Sequence, residues 1–541
     1  MTSSALPGSQ TRPASSAALI EHRSEVDGDR VFLRFEERSW TYTDARREVS
    51  KLAGGFASAG IGRGDRVALM LPNAPEFVFA SIAVSWLGAV EVPVNTELKG
   101  GVLRHQIDNS GLSFAVVHED LLEAFLPAGD GLLGLDRVAV AGHSPNTHGV
   151  PFSELAAHEP IKRATAAESD LSAIMYTSGT TGNAKGVEVT YGHAHRFASD
   201  WIRAVEFTRD DVLMTPLPLF HSIARTLGVL PTLMLGAQIC LVERFSASTF
   251  WDQVRHFDPT VVQGIFGMVP ILLNQPERPD DRDHRVSRYY IGPNSLSDAF
   301  EKRFGARVIE LYGATETGIV TYFAPGEEVR PGSCGRANED TYEVTLLDDH
   351  DREVPDGEMG EFAIRPRAPW SLLTGYYANQ AETLAAFRNL WFHTGDYGRR
   401  DVDGYFYFVD RKKDAIRRRG ENITSGEVET EVNAHPAVLE CAVIAVPSEL
   451  GEDEVKACVV LRPGTELDPA DLIAFLDPRL PYFMVPRYIE IIDELPKTAN
   501  GKIQKHKLRD SGTRGITSDT WDREEHGIQL TRTRSSLSTK K

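Results

Sequence analysis

Apolar positions along the chain fall into short runs that alternate with longer segments of helical character. RVALML (residues 66–71) is an apolar run of strand length, and Pro75 then opens PEFVFASIAVSWLGA, a helical stretch leading into the strand-like VEVPV. The same beat recurs at DDVLMTPL, IARTLGVLPTLMLG and AQICLV, and again at TVVQGI, MVPILLN, SRYYIG, SDAFEKRFG and RVIELYG. Strands of this kind separated by helices imply a largely parallel, buried sheet and therefore an α/β fold. From about residue 341 to 408 the strands become shorter and more polar, with turn signals such as Pro355-Asp356-Gly357. After Arg411 a smaller α+β segment follows, with HPAVLECAVIAVP, EVKACVVLRPG and YIEIIDELP as strands and DPADLIAFLDPRL as a helix.

The two ends of the chain lack this patterning. Residues 1–17 form a Ser/Ala/Pro-rich tail expected to be disordered, and residues 511–541 form a polar tail expected to be weakly structured at best. Between them lie a large N-terminal domain, residues 18–411, and a small C-terminal domain, residues 412–510.

Length agrees with that division, since 541 residues exceed what one hydrophobic core usually supports. A formal net charge of −19 disfavours nucleic acid or an anionic membrane as partner, so an anionic ligand needs a local cluster of cations and amides. The four cysteines (Cys240, Cys334, Cys441 and Cys458) show neither pairing nor metal-type spacing, which suits a reducing compartment. The N-terminus carries no charged region followed by an apolar one, and residues 229–242 are too short and interrupted to span a bilayer. A cytoplasmic protein is expected.

One stretch does not belong to any core. YTSGTTGNAKG, residues 176–186, gathers glycines and hydroxyls around Lys185 between two strand-like flanks. Glycine permits sharp turns and close approach of the backbone, successive N–H groups can form an anion nest, and lysine adds a point charge. The composition suits a polyphosphate. It is not the common phosphate loop, because Ala184 precedes Lys185 and Gly186 follows it, where G-x-x-x-x-G-K-[ST] needs Gly and a hydroxyl.

SGTTGxxKG with these flanks resembles the phosphate-binding signature of the adenylate-forming superfamily, which includes the acyl-CoA synthetases. PLPLFHS (216–222), ELYGATETG (310–318), RPGSCGRA (330–337), WFHTGDYG (391–398), FVDRKKDAIRRRGENITSGEVE (408–429) and PKTANGKI (496–503) follow in the family's order. The resemblance covers about residues 18–509. LVERFSASTFWDQV, FYFVDRKKDAI and SDTWDRE look most like the carnitine/crotonobetaine-CoA ligase type.

The resemblance implies a large N-terminal domain of mainly parallel α/β sheets with a small β-rich subdomain, then a small mobile α+β C-terminal domain. It implies an AMP-forming carboxylic acid–CoA ligase using ATP, Mg²⁺ and CoA, working through an acyl-adenylate and then a thioester. The small domain would rotate between the two steps about Lys413. Thr177, Ser178, Gly179, Thr180, Thr181, Gly182 and Lys185 would grip the β- and γ-phosphates. Gly292, Pro293 and Asn294 would lie under the adenine with Tyr312 stacked on it, and Gly313 and Phe408 would add to the nucleotide site. Thr315 would contact the α-phosphate, Glu316 would help hold Mg²⁺, and Asp396 with Arg411 would bind the ribose. Lys502 would be the catalytic lysine that bridges the substrate carboxylate and the α-phosphate. Phe220, His221, Phe266, Gly267, Met268, Gly313 and Ala314 would draw the acyl pocket, with His221 gating it. That lining suits a sizeable hydrophobic acid and shows no acidic residue for a quaternary ammonium. Arg418, Arg419, Gly420 and Glu421 would meet CoA, from a run 417–419 that reads as a solvated basic face.

Three positions depart from the family. Ala184 replaces a common proline, Gly292-Pro293-Asn294 replaces a Gly-Gly-Ala/Glu-Pro stretch, and Leu390 replaces a usual glycine. Alternatives stay open at this point: one half-reaction only, or a non-catalytic nucleotide-binding protein. A homodimer is also left open.

Overall fold

The computed structural model describes residues 15–142, 149–177, 184–265, 267–290, 294–411, 416–418, 421–423, 425–447, 453–480, 482–497 and 503–530. The chain forms two compact units: residues 1–345, 363–392 and 401–407 in the first, and residues 346–362, 393–400 and 408–541 in the second. The last segment of the second unit begins at Phe408. Two stretches expected in the large domain, 346–362 and 393–400, group with the second unit instead.

The first unit carries two seven-stranded sheets. One runs in the order Val150–Pro151, Val138–Ala141, Phe114–His118, Arg66–Met70, Val90–Pro93, Leu171–Thr177, Lys185–Thr190, parallel except for the last, antiparallel pair. The other runs Arg307–Ile309, Arg288–Tyr290, Val261–Gln263, Val212–Thr215, Gln238–Leu241, Val31–Phe35, Arg38–Thr41 and is again parallel up to its final hairpin. One continuous core holds side chains from both sheets (Leu33, Leu69, Leu213) and from helices including Tyr42–Ser58, Pro75–Leu87 and Tyr191–Val205. The apolar runs read as strands are therefore the buried parallel strands, as expected for chains covered on both faces.

The helices start where their chemistry requires. Thr41 caps Tyr42–Ser58 in a reciprocal box with Asp44, Pro75 occupies the first turn of its helix, and Gly88 ends that helix in the left-handed region at φ 69°. No helix among the described residues is long and apolar enough to cross a membrane.

In the second unit Val438–Pro447, Asp453–Leu461, Tyr488–Ile491 and Trp521–Asp522 form a four-stranded sheet. The last strand corrects the expectation of a weakly structured tail beyond residue 510. Tyr488 pairs with Asp522 and Ile489 with Trp521. Arg487 holds Asp522 at 2.8 Å. Lys456, 0% exposed, is ion-paired with Glu490 and donates to the Gly515 carbonyl at 2.5 Å and to Thr520 Oγ1 at 3.1 Å. Ion pairs fix this segment together with Trp521, Ile528 and Leu530, which pack against the unit's core, and a strand this short carries no apolar periodicity. At the other end the helix Ser16–Val26, capped by Ser15, begins inside the stretch expected to be disordered, and Ala17 is buried in the core.

Candidate active site

The strands Leu171–Thr177 and Lys185–Thr190 pair antiparallel, with Tyr176 opposite Gly186 and Thr177 opposite Lys185. The two flanks of the glycine-rich run are thus held side by side at its mouth. Gly186 is required by packing: a Cβ there would sit 2.7 Å from Ile174 Cγ2 and 3.2 Å from the Tyr176 ring. Ser178, Gly179, Thr180, Thr181 and Gly182 lie outside the described residues.

A second segment lies along the outer strand. The Tyr377 amide donates to the Gly186 carbonyl at 2.7 Å, and the Glu188 amide to that of Gly375 at 3.0 Å. Tyr376 is thereby brought under Lys185, whose Nζ lies 5.0 Å from the ring centroid. The Leu373 amide also donates to the Glu316 carbonyl at 3.0 Å, tying the segment to the turn after the strand Leu311–Ala314.

That turn carries the expected nucleotide residues. Thr177 Oγ1 donates to Glu316 Oε1 at 3.2 Å, and Thr315 and Ser222 hydroxyls are 3.3 Å apart. Tyr376 shares a hydrogen bond with Glu316; burial first, and then the Glu316 and Glu382 carboxylates, push its phenol well above the usual range. It therefore stays protonated and can donate. Lys185 forms an ion pair with Glu382. Tyr312 packs against a buried cluster to which both flanking strands contribute, through Ala173, Met175, Val187 and Val189. Gly313 is forced by close backbone approach, since a Cβ would lie 2.0 Å from the Gly318 carbonyl oxygen.

Tyr376, Glu382 and Ser222 were missed by the sequence reading. The spacing Asn379-x-x-Glu382, a cap followed by an acid at the third helical position, was the available signal.

Of the expected acyl pocket, Phe220 and His221 stand together, their rings 4.7 Å apart, and Phe220 and Met268 are buried. His221 precedes the short helix Ser222–Ala224, which continues into a π-helical turn at Arg225–Val229. Phe266, Gly292 and Pro293 lie outside the described residues, and Asn294 is described only in its backbone.

In the second unit Asp396 is 8% exposed and its amide donates to Thr394 Oγ1 at 3.1 Å. Phe408 is 46% exposed. Arg418 departs from expectation: it is 1% exposed, pairs with Glu454 at 2.5 Å and donates to the carbonyls of Phe483 and Val485, each at 3.0 Å. It is an internal tie of the small unit, so the basic run is not a uniformly solvated face and Arg418 is not free to meet CoA. Lys413, Arg419, Gly420 and Lys502 lie outside the described residues, as do the side chains of Arg411 and Glu421.

Comparison with known proteins matches the family described as AMP-binding enzyme over residues 20–377 and the AMP-binding enzyme C-terminal domain over residues 427–502. A crotonobetaine/carnitine–CoA ligase of Salmonella paratyphi C is 35% identical over 504 residues, covering 90% of this chain and 96% of that protein. Among solved structures, the anthranilate–CoA ligase AuaEII in complex with anthranoyl-AMP is 26% identical with a TM-score of 0.84, covering 94% of this chain and 99% of that one. The o-succinylbenzoate–CoA synthetase of Bacillus subtilis in complex with ATP and magnesium ion is 25% identical with a TM-score of 0.79, covering 91% and 99%.

Proposed function

The chain belongs to the AMP-binding enzyme family, and on that premise we propose how its residues share the work of an acid–CoA ligase. It is an ATP-dependent, AMP-forming carboxylic acid–CoA ligase with Mg²⁺ as cofactor and CoA as co-substrate. A carboxylate is a poor electrophile. Attack on the α-phosphate of ATP gives an acyl-AMP and pyrophosphate, and the CoA thiol then displaces AMP to give the thioester.

The observation that carries the site assignment is the junction of Thr177, Glu316, Tyr376 and Lys185 at the mouth of the glycine-rich run. Lys185 and the run 177–182 hold the β- and γ-phosphates, where fixed donors stabilise the charge that develops on the leaving pyrophosphate. Thr315 contacts the α-phosphate and Tyr312 stacks on adenine, with Gly313 and the 292–294 segment around the base. Asp396 accepts hydrogen bonds from the ribose hydroxyls, Arg411 assists as a donor, and Phe408 adds to the nucleotide site. Lys502 bridges the carboxylate and the α-phosphate. The chain from residue 412 through the strand Trp521–Asp522 acts as the small domain, with Lys413 as its hinge, and Arg419, Gly420 and Glu421 meet CoA.

The oxygen donors fit magnesium. Among the described residues no cluster of three or more His, Cys, Asp or Glu forms a metal cage. Glu316 and the Thr177 hydroxyl offer the few hard ligands that Mg²⁺ takes from protein when phosphates and waters supply the rest. Bound there, the ion would neutralise phosphate charge.

The acid is a sizeable hydrophobic one, a reading supported by Phe220, His221 and Met268 beside the small residues Gly313 and Ala314. The anthranoyl group carried by a structural relative supports the same class. The four cysteines, all buried and none in a disulfide, support a cytoplasmic site of action. A panel of aromatic, aliphatic and trimethylammonium acids, assayed for CoA thioester, tests the substrate class. Aromatic or long aliphatic acids are expected to give the highest kcat/KM; preference for carnitine or crotonobetaine would reject the hydrophobic pocket.

A further inference from the structure

We propose that Glu382 is a positioning residue of the adenylation step: its carboxylate holds Lys185 and competes with the β- and γ-phosphates for that ammonium. The proposal rests on the reading of Lys185 as a phosphate-binding residue.

Glu382 is placed by its own helix, Gln380–Ala386. Asn379 caps that helix by accepting from the Glu382 amide at 3.2 Å, and an acid in the first turn suits the helix dipole. The helix start is tied in turn to Tyr376, whose amide donates to Thr383 Oγ1 at 2.9 Å, while the Thr383 hydroxyl donates to the Asn379 carbonyl at 2.9 Å. Tyr376 is bonded to Glu316 through its phenol. Carboxylate and aromatic ring therefore reach Lys185 from one braced segment, and the ammonium sits between an anion and a π face.

Two consequences follow from the charges. A lysine on a four-carbon stem loses rotamer freedom when it binds, and a partner that already confines it removes part of that cost. The same partner opposes the ligand, because one ammonium cannot fully neutralise a carboxylate and a polyphosphate together. Glu382 thus keeps Lys185 in place while weakening its hold on pyrophosphate, the product that must leave. With Lys185 25% and Glu382 43% exposed, solvent screens the pair and the effect is modest.

Glu382→Gln keeps shape and hydrogen bonding but removes the competing charge. In full-length enzyme with a turned-over acid, this variant should lower the inhibition constant of pyrophosphate and the KM for ATP by roughly two- to five-fold, the span of a partly exposed ion pair. Glu382→Asp, which keeps the charge, should stay closer to the parent. Damage to the fold loosens binding, so tightening is a change that a merely structural role does not produce. An inhibition constant for pyrophosphate that is unchanged or raised in Glu382→Gln would overturn the proposal. Lys185→Met separates the two levels: it should weaken pyrophosphate inhibition. If it does so while Glu382→Gln has no effect, the counter-ion role alone fails. If Lys185→Met leaves inhibition unchanged, the phosphate reading of Lys185 fails with it.

Discussion

His193, 0% exposed in the helix Tyr191–Val205, stacks on Phe197 at 6.3 Å, and neither ring nitrogen has a hydrogen-bond partner among the described residues. Burial alone pushes its pKa down from 6.5 to about 4. The unfolded chain therefore binds a proton that the folded chain refuses. The stability this histidine allows is fully present above pH 6.5 and is lost as pH falls towards 4. The loss is on the order of 3 kcal/mol for a shift of this size. His193→Leu should flatten the acid limb of a denaturation series across that window. An unchanged pH slope would show that the imidazole is charged or hydrated in the fold. Residue by residue, the sequence reveals groups that carry their own pattern, such as Lys185 and Glu316 within SGTTGxxKG and ELYGATETG. Glu382 was legible only as the acid three residues after the cap Asn379; its pairing with Lys185 carries no sequence pattern. Arg418 was misread for the converse reason: a run of three arginines looks solvated until Glu454 and two carbonyls enclose its middle member.

Among the elements, the hairpin before Trp391 shows how a local rule can be broken at a modest cost. Arg388 pairs with Trp391, which leaves Asn389 and Leu390 as a two-residue turn with φ of 48° and 67°. Positive φ at both positions is the type I′ geometry, which favours Asn-Gly. Leu390 occupies the glycine position and is 84% exposed, so its side chain recovers almost nothing by burial. Leu390→Gly should raise stability by roughly 0.5–1 kcal/mol, the left-handed strain relieved less the added freedom of the unfolded chain. A lower unfolding midpoint would mean that Leu390 makes a contact worth more than its strain. The unusual residue was legible in the sequence as a missing glycine; the strain is its structural counterpart. Parallel strands were legible because burial on both faces makes them continuous apolar runs. The edge strand Trp521–Asp522 was not, since two residues carry no periodicity and ion pairs at Asp522 and Lys456 fix the segment.

At the scale of the whole molecule, a chain of net charge −19 must bind ATP and CoA, which calls for local cations rather than a basic surface. In the proposed function, the glycine-rich run between Thr177 and Lys185 would hold the part of ATP that leaves. The acid, not water or phosphate, must attack the α-phosphorus, and this is the central claim. An acid carrying heavy oxygen in its carboxylate tests it most directly when it is turned over with ATP and CoA and the products are weighed by mass spectrometry. The account predicts that one labelled oxygen appears in AMP, left behind when the thiol takes the acyl group, and that pyrophosphate stays unlabelled. Label in pyrophosphate or free phosphate, or ADP as the nucleotide product, would contradict it.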